Sequence, residues 1–261
     1  MQYRIILGFA LVLGACDAGA LDLADYRMVD LSHTYGETTL YWPTSPSAFE
    51  KTELAFGKSA AGYFYSAFSV CTPEHGGTHI DAPIHFAEGG ISTERIPLAS
   101  LIAPAVVIDV TGKAGEDRNY RVSADDVFAF EVAHGQIEAG SIVLVRTGWS
   151  RHWPDARAYL GDDTPGDAGK LEFPGYGADA TRLLAEERRV AMLGIDTASV
   201  DYGRSQDFVA HRIGAAAGVS NLENLTNLGE LPATGSIVMA LPMKIEGGSG
   251  GPARVVALVP R

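Results

Sequence analysis

The residues best equipped for chemistry lie in one short run, His75-Gly76-Gly77-Thr78-His79-Ile80-Asp81-Ala82-Pro83-Ile84-His85-Phe86. Three of the chain's seven histidines fall within its first eleven residues, with an aspartate among them. His75, His79, Asp81 and His85 all occupy odd positions, so an extended chain would place them on one face. A helix would scatter them, and Gly76, Gly77 and Pro83 would break it. His79 and Asp81 would stand roughly 6.6 Å apart between Cα atoms on a strand, close enough to share an ion. On a straight strand His75 would be roughly 13 Å from His79, so the chain must bend, and Gly76-Gly77 permits the bend. His85, beyond Pro83, is expected beside the ion rather than on it. Two imidazoles and a carboxylate, without thiolate, suit zinc, manganese or iron and leave room for water. An ion so held lowers the pKa of bound water toward neutrality. An unligated histidine nearby can then carry the proton to a leaving group. A lone histidine would be read as a packed or solvated side chain; the clustered set points to metal chemistry.

Other candidate signals are weaker. Trp42, with Tyr41 and Pro43, resembles an aromatic-Pro segment that lines the substrate pocket of known metal-dependent hydrolases, where an aryl group could stack, or it could simply pack in the core; Phe64 and Phe86 carry the same two readings. Thr78, Asp196 and Thr197 are candidates to orient imidazoles from behind. Cys71, in the apolar context Ala67-Phe68-Ser69-Val70, is expected to be a buried, inert thiol. The run Gly247-Gly248-Ser249-Gly250-Gly251 lacks the following helix and Lys-Ser/Thr pair of a phosphate loop, so it reads as a turn between strands. There is no Gly-x-Ser-x-Gly elbow, which argues against a serine hydrolase. With 20 Lys+Arg against 32 Asp+Glu, the net charge of −12 excludes nucleic acid as a partner, since no basic stripe is available to displace counterions.

These residues must be positioned by a mixed framework. Short apolar runs at Phe64–Cys71, Ala105–Val110, Ser141–Arg146, Val190–Ile195, Ser236–Leu241 and Arg254–Val259 predict strands, several of them covered on both faces. Ser123-Ala-Asp-Asp126 predicts a capped helix ending near Gly135. A second helix is expected over Ala178–Arg189, and a third through His211–Ala217. The Gly/Pro/Asp-rich residues 151–177 predict a long loop, either a pocket wall or a surface insertion. The fold class is α/β, in one domain over residues 26–261. Residues 1–20 read as an export leader: Arg4, then the apolar stretch Ile5–Leu13, too short to cross a bilayer. Leu13-Gly14-Ala15-Cys16 resembles a lipobox that would lipidate Cys16, while Ala18-Gly19-Ala20 fits ordinary signal cleavage. The product is expected to be exported, either periplasmic or tethered to the membrane as a lipoprotein. Cys71 would then have no intrachain disulfide partner.

The motif His-x-Gly-Thr-His-x-Asp-x-Pro-x-His-Phe from His75 to Phe86 resembles the signature of the cyclase family of metal-dependent hydrolases, which includes kynurenine formamidase and isatin hydrolase types. The resemblance continues through Asp30–His33, Leu144–Gly148, Gly194–Asp201, Ala210-His211, Leu222–Leu228 and Ala240–Glu246. It implies a swivelling β/β/α fold assembled as a homodimer or homotetramer. It also implies two zinc ions sharing an aspartate, with manganese as the alternative metal. Carried over, His75, His79 and Asp81 would hold one ion; Asp81, His211 and Glu223 would hold the other; His85 would be the general acid/base. Neither His211 nor Glu223 is detectable from local spacing. The resemblance implies that a glutamate at position 223 marks the dinuclear, formamidase-like arrangement rather than the single-manganese isatin type. The expected activity is hydrolysis of a small aromatic amide, an arylformamide first. A cyclic amide or lactone ring is the alternative substrate, and a non-catalytic exported metal- or ligand-binding protein the alternative of another class.

Overall fold

The computed structural model describes residues 22–261, so the leader and the Cys16 reading lie outside the described residues. The described residues form twelve strands: β1 Tyr26–Asp30, β2 Glu50–Lys58, β3 Phe64–Cys71, β4 His79–Asp81, β5 Ile102–Asp109, β6 Arg121–Val122, β7 Ile142–Arg146, β8 Gly175–Tyr176, β9 Met192–Ile195, β10 Ser220–Glu223, β11 Ser236–Pro242 and β12 Gly250–Pro260. Eight of them form the main sheet in the order β1-β12-β11-β5-β7-β9-β10-β4, and β4 pairs again with β12. That second pairing closes the sheet into a barrel-like ring. The sheet is parallel across β5, β7, β9 and β10 and antiparallel elsewhere.

The near-continuous apolar runs are explained by burial on both faces. Along β7, Ile142 and Leu144 belong to one hydrophobic cluster with Ile80, Leu222, Val238 and Val255. Their neighbours Val143 and Val145 belong to a second cluster with Val127, Leu184 and Ala210. Alternate residues of one strand thus feed two cores, which is what a period of two requires of a covered strand.

The helix expected at Ser123 runs Ala124–His134. Its capping box is reciprocal: Ser123 and Asp126 each bond the other's backbone N–H, and Gly135 ends the helix at φ 93°. The helix expected at 178–189 is α-helical only over Ala178–Arg182 and widens to a π turn at Leu183–Glu187. The third is Val209–Ala216. Residues 151–177 are not a bare loop. They hold the short helix Ala156–Leu160 and a small core of Tyr159, Leu160, Leu171 and Phe173 around Trp149. Among the described residues no helix is long and apolar enough to cross a membrane.

Two expectations fail at the β2–β3 hairpin, which forms a sheet of its own. Cys71 is exposed, because β3 has no layer over either face. Phe64 is 60% exposed and packs its ring edgewise on Phe56 of the same hairpin, away from the histidine cluster.

Candidate metal centre

β4 supplies His79 and Asp81 from one face, while Ile80 between them points into the core. The bend before β4 is real. Gly77 sits at φ +56°, and a Cβ on Gly76 or Gly77 would collide with the rings of Tyr41 and Tyr35 respectively. The turn brings the His75 Nδ1 to 2.7 Å from Asp81 Oδ1. The antiparallel register sets Glu223 of β10 directly opposite His79. His79 Nε2 lies 3.2 Å from Asp81 Oδ1 and 3.6 Å from Glu223 Oε2. His211 comes from the first turn of the helix Val209–Ala216 and places Nε2 3.2 Å from both Asp81 Oδ2 and Glu223 Oε1.

Two groups therefore have their ligand atoms within 4.8 Å of one another: His75, His79 and Asp81, and Asp81, His211 and Glu223. Asp81 is common to both. The donors fit divalent cations. His79 Nε2 is buried without a hydrogen-bond partner, aimed between two carboxylates, a position that calls for a positive charge. Burial alone would lower the His79 imidazole, yet the Asp81 and Glu223 carboxylates outweigh it and raise its pKa to about 9. The His211 imidazole is likewise raised well above its usual value: burial opposes, but Asp201, Asp81 and Glu223 surround it with acceptors. Burial would raise the Asp81 carboxyl, and the surrounding histidines, His79 foremost, hold it well below the carboxylate range.

His85 belongs to neither group. Its ring stacks on His75 at 3.8 Å and stands edgewise to His211 at 5.8 Å. Burial, helped by the neighbouring imidazoles and opposed by Asp81, lowers its pKa to about 4, so at neutral pH it is an uncharged proton acceptor. Above these residues opens a cavity of roughly 250 Å³ walled by Tyr41, Trp42, Phe86, Leu160 and Phe208. Trp42 and Phe86 are among its walls, and Phe64 is not.

The residues that orient the imidazoles are not those expected. Thr78 accepts from His33 N–H and donates to the Asn224 carbonyl; Thr197 donates to the Ser199 carbonyl. Asp196 is buried under the Thr147 hydroxyl and the backbone N–H groups of Thr147, Gly148 and Trp149. None of these three side chains hydrogen-bonds to His75, His79 or His211, because each is used to tie loops to the sheet. Asp201 does so instead. It accepts from the Ala210 and His211 N–H groups at the helix start and meets His211 Nδ1 at 2.7 Å. The Gly77 carbonyl lies 3.0 Å from His79 Nδ1, and the Val200 N–H donates to Glu223 Oε1 at 2.8 Å. Asp201 ends the resemblance run Gly194–Asp201, and the local signal that could have exposed it is a carboxylate ten residues before a histidine at a helix start.

The model of the Cyclase family matches residues 29–202, and the chain belongs to that family. An isatin hydrolase from Roseibium aggregatum is 35% identical over 209 residues, covering 77% of each chain. A kynurenine formamidase from Salinibacter ruber is 29% identical over 235 residues, covering 88% of this chain and 96% of that one. The fold superposes on a crystal structure of an isatin hydrolase bound to the product analogue thioisatinate with a TM-score of 0.83, at 31% identity and covering 91% of this chain and 94% of that one.

Proposed function

We propose that this protein hydrolyses the amide bond of a small aromatic compound with two divalent ions, zinc first and manganese as the alternative. One observation carries this reading: two ligand groups joined through Asp81 form the floor of a cavity whose walls are aromatic. His75, His79 and Asp81 would hold one ion, and Asp81, His211 and Glu223 the other. When bound there, such ions acidify water and polarise a carbonyl. The chain's own residues do the rest. Trp42 and Phe86 stack on the aryl group and exclude water around it. His85, uncharged at neutral pH, takes the proton from the attacking water and returns it to the departing nitrogen.

Glu223 completes the second group, and the resemblance that ties a glutamate here to the formamidase-like arrangement supports an acyclic arylformamide. A ring amide of the isatin type is the second reading, favoured by the 35% identity to an isatin hydrolase against 29% to a formamidase. The exposed hairpin residues Leu54, Phe56, Tyr63, Phe64, Tyr65 and Val70 support assembly of at least a homodimer, because a two-stranded arm with apolar side chains on both faces gains from a cover. The leader pattern supports export.

Rates on N-formylkynurenine and isatin, measured side by side with and without a chelator, test the proposal. Hydrolysis of either compound, lost on chelation and restored by zinc or manganese, is expected. No hydrolysis of either, or of related lactams and lactones, by the metal-loaded protein would overturn it in favour of a binding protein.

A further inference from the structure

The run Gly247–Gly251 turns the chain before β12, but it also lies against His75. Ser249 at its centre places Oγ 2.8 Å from His75 Nε2. The same Oγ is 2.6 Å from Glu74 Oε2, and the Ser249 N–H donates to that oxygen at 3.0 Å. The single Ser249 hydroxyl proton goes to Glu74, so toward the imidazole the hydroxyl oxygen can only accept. His75 Nε2 therefore carries a proton, and Nδ1, 2.7 Å from the Asp81 carboxylate, is free to bind an ion once a cation takes the place of a proton between them.

The loop that makes this contact is itself fixed. Buried Thr93 donates both its N–H and its hydroxyl to the Gly248 carbonyl, each at 2.9 Å, and Ala82 N–H donates to the Ser249 carbonyl at 2.8 Å. A Cβ on Gly250 would stand 2.6 Å from His75 Cε1 and from the Ile80 carbonyl, so the approach requires glycine. The need for a brace is greatest here. His75 is 27% exposed, whereas His79 and His211 are 3% and 5% exposed and held by their surroundings.

We propose that Glu74 and Ser249 are positioning residues, a relay that fixes the tautomer of His75 and aims its Nδ1 at the ion shared with His79 and Asp81. This rests on the reading of His75 as a ligand. Outer partners of ligand histidines of this kind are worth roughly 10–100-fold in metal affinity.

Two measurements decide it. Chelator competition with zinc should show one of the two ions bound roughly 10–100-fold more weakly in Ser249→Ala, the other unchanged, with binding restored in Ser249→Thr. Long-range proton–nitrogen correlation spectra of the histidine rings should show His75 Nε2 protonated in the wild-type protein, with or without zinc, its proton exchanging faster in Ser249→Ala. Wild-type zinc affinity in Ser249→Ala, equal weakening of both ions, or an unprotonated His75 Nε2 would each overturn the relay. A wild-type protein that binds no zinc would instead defeat the metal reading, while the ring spectra would still decide the relay.

Discussion

The two halves of the site reach the same chemistry by opposite routes. His75, His79 and Asp81 come from seven consecutive residues, a glycine bend and a strand of three. His211 and Glu223 come from a helix and a strand far along the chain, Glu223 brought to Asp81 by the pairing of β10 with β4 and His211 by the helix that precedes β10. The local half is the more exposed at His75 and is braced from a surface loop. The distant half is fully buried and braced by Asp201 and the Val200 N–H. Local spacing needs few residues but leaves one imidazole, His75, in contact with solvent; long-range assembly buries both His211 and Glu223 but depends on the whole fold.

The sharpest way to break the comparison is to remove what the halves share. Asp81→Asn should release both ions and reduce turnover to background, read by elemental analysis together with the rate. His85→Ala tests the group that stands between the halves. Ion content should be unchanged, and turnover should fall roughly 10²–10⁴-fold, as for a lost general acid/base. Asp201→Asn should act on the distant half alone, weakening one ion roughly 10–100-fold in chelator competition without disturbing the other.

The smallest effect concerns the packing beside the local half. His33 donates its N–H to Thr78 and stacks on Trp153 at 4.2 Å. Burial, opposed by Asp30, lowers its pKa from 6.5 to about 4. Between those values the unfolded chain binds more protons than the folded one, so this contribution to stability is complete above about 6.5 and is lost as pH falls toward about 4. His33→Phe keeps the stack and removes the titration, and urea midpoints across pH 4–7 should therefore fall less steeply than in the wild type.

The comparison also explains what could be read in advance. The local half was legible because strand period and glycine punctuation act over a few residues. His211 and Glu223 were reachable only through family resemblance, since their approach to Asp81 depends on the β10–β4 register. Phe64 and Cys71 break the pattern because an apolar strand normally implies a covering layer, and among the described residues the hairpin has none. Thr78 and Thr197 have the right chemistry, yet backbone groups reach their hydroxyls first. Of the two readings of residues 151–177, the pocket wall is the one that Leu160 fits, but composition hides the short helix and the small aromatic core that carry it there.

The central claim is that two ions share Asp81 and that both are needed. Titrating metal-free protein with zinc while following amide hydrolysis tests it most directly. The account predicts activity rising to a plateau at two equivalents per chain in the wild type, and Glu223→Ala binding a single ion with turnover largely lost. A plateau at one equivalent, with Glu223→Ala equally active, would contradict it.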